Sequence, residues 1–282
     1  MIKKITLLIL FSSFMFYTPF LLSQALCGYN LGKLEIKIPY DPNRSFHIEP
    51  ESMKSVRDVF IQKFSYLARG NQSFAFISED GKFILKIFRN GGWIHPWRKF
   101  IRSKLFSPNR KRFGIQNLLR QLAATKVAFE QAPDLTGLIY VHLNLTDSLL
   151  PKVCCKDPIG RSFQLDLDKH LFSIQLRATP FEEAYSIAIK SNDREKFKRL
   201  TRSFISLLKS RISRGIRNTD AKLIDNFGFI GEQAIEWDFG CYTLEESINQ
   251  ANELSIFTTK AAQFFQANYP EWVDEYDAII QN

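Results

Sequence analysis

Apolar and polar residues alternate over 73–78 (SFAFIS) and 82–88 (KFILKIF), with Glu79-Asp80-Gly81 between them. Period-two alternation around a short Asp-Gly turn predicts a β-hairpin. The same period returns in GLIYVHL (137–143), in KVCCK and RSFQLDL on either side of Asp157-Pro158-Ile159-Gly160, and in LFSIQL (171–176). Proline early in a turn and glycine at its end make the second pair another hairpin. Residues 26–50 alternate weakly in KLEIKI and then pass Pro39, Pro42 and Pro50, which predicts a short strand and a linker. Met53, Val56, Phe60 and Phe64 stand at helical spacing, so 51–66 reads as a short amphipathic helix. Ile115, Leu118, Leu119, Leu122, Val127 and Phe129 give 114–132 a broad apolar helical face. The first half is thus five or six strands with one inserted helix.

Beyond 178 the period changes to that of helices. FEEAYSIAIK opens this half, and Phe197, Leu200, Phe204, Leu207, Leu208 and Ile212 line one face of a long helix. Gly215 caps it, since glycine adopts the left-handed conformation that ends helices. Two short strand-like runs, FGFI and AIEW, flank Gly231-Glu232, and two helices close the chain, with Thr243 and Glu246 as a capping box.

The chain has 282 residues, 45% of them apolar and 26 of them Phe, which is enough for a packed core. Net charge is +9, a balance that suits phosphate-bearing ligands or anionic membranes. Cys27, Cys154, Cys155 and Cys241 form no CxxC pair, and no Cys/His spacing suits zinc. They read as unpaired thiols.

MIKK followed by 18 uncharged residues, 5–22, reads as a targeting segment. Ser23 and Ala25 suit cleavage after Ala25, so 1–25 is expected to be a cleaved signal peptide, with a retained signal anchor as the alternative. The bulk of the chain is then expected outside the bacterial cytoplasm, although an anchor could also leave it in the cytosol, since Lys3 and Lys4 on one side face Lys33 and Lys37 on the other. Residues 95–113 hold seven Lys/Arg, no acid and interleaved aromatics. That composition suits contact with an anionic membrane or a partner, or a solvated basic loop. With no accompanying nucleic-acid motif, no nucleic-acid partner is expected.

Chemistry concentrates in RGIRNTDAKLIDNFGFIGEQAIEWDFG, 214–240. A long helix ends, a loop carries Asp220, Asp225 and Asn226, two short strands follow, and then comes Asp238-Phe239-Gly240. Together with Lys86 in an otherwise apolar strand, this order resembles the protein-kinase-like superfamily. TGLIYVHLN and DNFGFIGEQAIEWDFG are also similar to uncharacterised secreted or membrane-anchored kinase-like proteins of bacteria. The resemblance implies an α+β, two-lobed protein-kinase-like fold. Its β-rich N-lobe would be 51–178 and its shortened helical C-lobe 179–282, of which only 42 residues follow Gly240.

The resemblance also implies roles. Lys86 would face the α/β-phosphates of ATP, and Gly70, Ser73 and Phe74 would belong to the phosphate-covering hairpin. Glu130 is the acid available in 114–132 to pair with Lys86. Asn226 and Asp238 would hold Mg²⁺, and Asp220 would accept a proton from an attacking hydroxyl, with Asp225 as a rival base. The acceptor would be a protein or a small molecule. The chain departs from the family pattern in three places. No histidine opens the loop, Asp220 precedes Asn226 by six positions rather than five, and the hairpin has one glycine. These departures and the export segment support the alternative, an exported or membrane-associated pseudokinase that acts as a protein-binding module.

Overall fold

The computed structural model describes residues 29, 32, 34–36, 38–46, 56–70, 72–89, 109–220 and 222–281, with side chains of the long helix described from Ile115 onward. The predicted signal segment and the stretch 95–108 lie outside the described residues, and 109–113 is described by backbone alone. Among the described residues no helix is long and apolar enough to cross a membrane.

The chain is α+β and divides into two compact units, residues 1–115 with 144–172, and residues 116–143 with 173–282. The first is rich in β-strand and the second is largely helical.

In the first unit, strands β1 (Phe64–Arg69), β2 (Ser73–Ser78), β3 (Phe83–Phe88), β5 (Lys152–Lys156) and β6 (Ser162–Asp166) lie side by side in the order β3-β2-β1-β5-β6. Both predicted hairpins form. Gly81 (φ 72°) donates its N–H to the Ser78 carbonyl at 2.9 Å, and Asp80 accepts from the Ser78 hydroxyl at 2.6 Å. Gly160 (φ 83°) closes the other turn on the Asp157 carbonyl at 2.9 Å. Glycine supplies the positive φ that each turn needs. Alternation sends Phe74, Phe76, Leu85 and Ile87 to one face of the β2–β3 pair, all fully buried. Adjacent Cys154 and Cys155 fall on opposite faces, half-buried and buried, and both are free thiols.

Two expectations fail in this unit. The helix predicted over 51–66 is helical at 56–60 among the described residues, and Phe64 opens strand β1 instead. β1 pairs antiparallel with β2 and parallel with β5, so sheet pairing outweighs a four-residue helical pattern. No strand forms among the described residues of 26–50. Leu34 and Ile36 are buried without one, and a 3-10 turn capped by Asp41 spans Pro42–Arg44.

The second unit contains α1 (Asn109–Gln131, from residue 116), the short α2 (Pro133–Thr136), and the neighbouring strands β4 (Leu138–His142) and β7 (Phe172–Leu176). The order continues through β8 (Thr179–Pro180), α3 (Phe181–Lys190), α4 (Arg194–Ser213), β9 (Ile216–Asn218), α5 (Leu223–Asn226), β10 (Phe227–Ile230) and β11 (Gln233–Glu236). β12 (Tyr242–Leu244), α6 (Gln250–Asn268) and α7 (Val273–Ile280) complete it. Phe197, Leu200, Phe204, Leu207, Leu208 and Ile212 of α4 are all buried, as their spacing predicts. Phe181, Tyr185, Phe197 and Phe265 stack edge to face or tilted among one another at the centre, with Tyr185 and Phe265 centroids 4.9 Å apart. Gly215 (φ 70°) ends α4 as expected.

The predicted capping box fails. Thr243 lies in β12, paired with Arg217, and Asn249 caps α6 by accepting from the Asn252 N–H at 3.0 Å. The apolar face of α1 is also rotated from its prediction. Leu118, Leu122, Thr125 and Ala128 are buried, whereas Ile115 is 47% and Leu119 45% exposed. Small residues complete the buried stripe, and a count of large apolar residues misses them.

Candidate functional site

The residues singled out by sequence fall on both units. In the first, Lys86 sits on β3 directly opposite Ala75 of β2 and is half-buried. Gly70 donates its N–H to the Ser73 carbonyl at 2.9 Å, closing the tip of the β1–β2 hairpin. A Cβ at Gly70 would meet the Ser73 hydroxyl at 3.4 Å, an ordinary contact, so neither space nor φ requires glycine there. Ser73 is half-buried. The Phe74 ring is a core group, 5.1 Å from Tyr29 and with the Arg89 guanidinium 5.5 Å above it.

In the second unit Asp220 follows β9, Asn226 ends α5 and Asp238 follows β11, and hydrogen bonds link the three segments. The Asn226 carbonyl accepts from the N–H of Trp237 at 2.8 Å and of Asp238 at 3.4 Å. The Asn226 Nδ2 donates to the Asp220 carbonyl at 3.0 Å. That bond sets which end of the amide is nitrogen, because a carbonyl can only accept. The Oδ1 is therefore the atom left over. It is buried, on a residue 1% exposed, and has no hydrogen-bond partner among the described residues. A buried acceptor without a partner costs free energy, so it invites a ligand. Asp238 is exposed, and its Oδ1 accepts weakly from the Gly240 N–H at 3.4 Å. Burial raises the Cys241 thiol above its ordinary value, and the Asp220 and Asp238 carboxylates raise it further. Asp225 is exposed, with its carbonyl accepting from the Trp237 indole N–H at 2.5 Å. Glu130 of α1 makes an ion pair with Lys126 one turn earlier.

Among the described residues no group of three or more His, Cys, Asp or Glu could hold a metal ion. The available donors are one amide oxygen and one carboxylate. Two protein oxygens suit Mg²⁺, a hard cation that keeps several waters and takes further ligands from phosphates.

Sequence reasoning overlooked the buried network beneath this loop. Arg211 of α4 and Glu236 of β11 are both 0% exposed. Arg211 Nη1 donates to Glu236 Oε1 at 3.0 Å and Oε2 at 2.9 Å, and Nη2 donates to Glu253 at 2.9 Å. The Tyr242 hydroxyl donates to Glu236 Oε2 at 2.7 Å, and Asn218 Nδ2 donates to Oε1 at 2.5 Å. Burial raises the Glu236 carboxyl above its usual range, against the opposing pull of Arg211, Tyr242 and Asn218. Burial alone would lower the Arg211 guanidinium, but Glu236, Tyr242 and Glu253 outweigh it and the net direction is up. The signal in sequence was an arginine on the apolar face of a helix, four residues after Leu207, and an acid two residues before Asp238.

Trp237 is a second omission. Its indole lies against Gly228, where a Cβ would come within 2.6 Å of the ring and 2.5 Å of the Thr179 carbonyl.

Among solved structures, the chain is similar to the complex of WbdD with the kinase inhibitor LY294002, at 15% identity and a TM-score of 0.41, over 77% of this chain and 41% of that one. It is also similar to a second structure of WbdD, at 14% identity and a TM-score of 0.35, over 71% of this chain and 36% of that one. A third, described as the bifunctional kinase-methyltransferase WbdD, matches at 15% identity and a TM-score of 0.33, over 71% and 37%. The chain spans about two-fifths of the WbdD chains it matches. No protein-family model and no curated protein matches it.

Proposed function

We propose that this chain is a kinase-like phosphotransferase that moves the γ-phosphate of ATP to a hydroxyl of a protein or small molecule. The observation that carries the reading is the buried, unpartnered Oδ1 of Asn226, a residue whose Nδ2 donates to the Asp220 carbonyl and whose own carbonyl accepts from the Asp238 N–H. Asn226 and Asp238 would hold Mg²⁺, which when bound neutralises charge on the phosphate oxygens. Asp220 would accept the proton of the acceptor hydroxyl. Lys86 would supply fixed positive charge to the α/β-phosphates from the β3 strand. Chemistry of this kind needs few groups, because positioning and charge neutralisation supply most of the rate.

The test is nucleotide binding by the full chain, followed by thermal shift and calorimetry with ATP and with ADP, each with and without Mg²⁺. Magnesium-dependent stabilisation by ATP that disappears in both Asp238→Asn and Lys86→Ala supports the reading. No binding at millimolar ATP overturns it, and the rival reading, a pseudokinase serving as a protein-binding module, then takes its place.

A further inference from the structure

Asp220 is held by its backbone on both sides. Its N–H donates to Asn218 Oδ1 at 2.8 Å, and its carbonyl accepts from Asn226 Nδ2 at 3.0 Å. Its carboxylate has no hydrogen-bond partner among the described residues and remains available. Asn218 can hold that N–H only if its amide oxygen points there, and its other end meets a group that can only accept: Asn218 Nδ2 donates to Glu236 Oε1. Turning the amide over would set a donor against the Asp220 N–H and an oxygen against a carboxylate, so one orientation is enforced. Glu236 in turn is fixed by both contacts from Arg211 Nη1 and by Tyr242, which lies directly across the β9–β12 pair from Asn218. All four side chains are buried.

We propose that Asn218 is a positioning residue, locked by the buried Arg211–Glu236 pair, that sets the backbone of Asp220 and thereby the direction of its carboxylate. The inference rests on the phosphotransferase reading of the same site. In the simplest turnover water is the acceptor. Its oxygen bonds to the γ-phosphorus, the bond from that phosphorus to the β–γ bridging oxygen breaks, ADP leaves with the electron pair, and Asp220 takes the water proton. Asn218 touches none of these atoms, so its loss should lower turnover and spare nucleotide binding.

The experiment is steady-state hydrolysis of Mg-ATP by the full chain, with amide hydrogen exchange followed by mass spectrometry on the same proteins. The variants are Asn218→Ala, Asp220→Asn and the double change Asn218→Asp with Glu236→Gln, which keeps the hydrogen bond but moves the carboxylate to the other partner. Asn218→Ala is expected to lower kcat by about 10- to 100-fold, as small misplacements do. Its KM for ATP should stay within about threefold of the wild type, since ground-state binding is untouched. Exchange in the peptide containing Asp220 should rise while peptides of β10 and β11 stay protected, and the double variant should recover part of the lost kcat. A wild-type rate in Asn218→Ala overturns this inference alone. So does a loss that tracks unfolding across the whole unit and is not rescued by the double change. Absence of magnesium-dependent ATP binding and turnover in the wild type overturns the phosphotransferase reading, and this inference with it.

Discussion

The backbone carbonyl of Asn226 takes both the Trp237 and the Asp238 N–H, so the two candidate metal ligands are tied through one oxygen although twelve residues separate them in sequence. The tie uses main-chain atoms, which leaves the Asn226 Oδ1 and the weakly engaged Asp238 carboxylate for other work. Asn226→Ala should therefore have two effects. It removes the part-buried Nδ2 bond to the Asp220 carbonyl, which costs about 0.5–1.5 kcal/mol of stability. It also removes the magnesium dependence of ATP binding. Asn226→Asp keeps an oxygen in place but sets it against the Asp220 carbonyl, so it should retain part of the binding at a similar stability cost. Urea unfolding and calorimetry separate the two effects.

The Arg211 network makes a second prediction. Arg211→Met leaves Glu236 buried without its cation and Glu253 with only Arg217, 3.7 Å away, and breaking a buried pair in this way costs about 3–5 kcal/mol. Glu236→Gln should cost less, since Arg211 keeps Glu253 at 2.9 Å and the amide can still accept from Tyr242. Urea midpoints at neutral pH would decide this. Equal losses in the two variants would mean that Glu253 contributes little to holding the arginine.

Much of this architecture is legible in the chain itself. Period-two runs mark β2, β3, β5, β6 and β7, and the α4 face is correct at every apolar position named for it. The errors occur where local pattern competes with tertiary pairing. Phe64 fits a helical spacing over four residues, but two neighbouring strands compete for it and win. Thr243 and Glu246 satisfy a capping rule that any Thr-x-x-Glu satisfies, while β9 claims Thr243 as a partner. In the site, Asp220, Asn226 and Asp238 were visible because acids and amides are conspicuous in a loop. Asn218, Glu236 and Arg211 were not, because their importance comes from burial and mutual contact, which no spacing along the chain encodes.

Acid stability should depend on Asp134. Arg214 Nη1 and Nη2 reach its two oxygens at 2.7 and 2.8 Å, and those hydrogen bonds hold the carboxyl below its ordinary value of 3.8. A carboxylate depressed in the folded state stabilises above its unfolded value, and the contribution is lost as pH falls through the folded one. The pair is partly exposed to solvent, so its worth is at most about 1 kcal/mol. Asp134→Asn should lower the urea midpoint at pH 7 and leave it unchanged near the acid end of the curve, where the wild type has lost the same contribution. A difference that persists undiminished in acid would contradict the assignment.

Thiol reactivity offers a check on the β5 register. Burial pushes the Cys155 thiol up to about 12, and neighbouring Cys154 adds to the shift. The thiolate is the reactive form, so Cys155 should resist alkylation in the folded protein. Cys154, on the opposite face and half-buried, should react first of the pair. Site-resolved mass spectrometry after brief iodoacetamide treatment measures both. A register slipped by one residue would exchange their order.

Gly228 tests whether Trp237 helps shape the site. No positive φ requires glycine here; the reason is space, with the Thr179 carbonyl on one side and the Trp237 ring on the other. Gly228→Ala must therefore move one of them, and overpacking of this kind costs about 1–3 kcal/mol. If the ring yields, its N–H leaves the Asp225 carbonyl and the turn carrying Asn226 loses a support. If the carbonyl yields, β8 parts from β10 at the Phe229–Thr179 pair and the turn is spared. The two routes separate in a double-mutant cycle with Trp237→Phe, whose smaller ring makes room beside Gly228. The ring is the atom set with more freedom, because a backbone carbonyl is held on both sides by its chain. The cycle should therefore show that Gly228→Ala costs less in the Trp237→Phe background than in the wild type. Equal costs in both backgrounds would assign the strain to Thr179 and remove Trp237 from the support of Asn226.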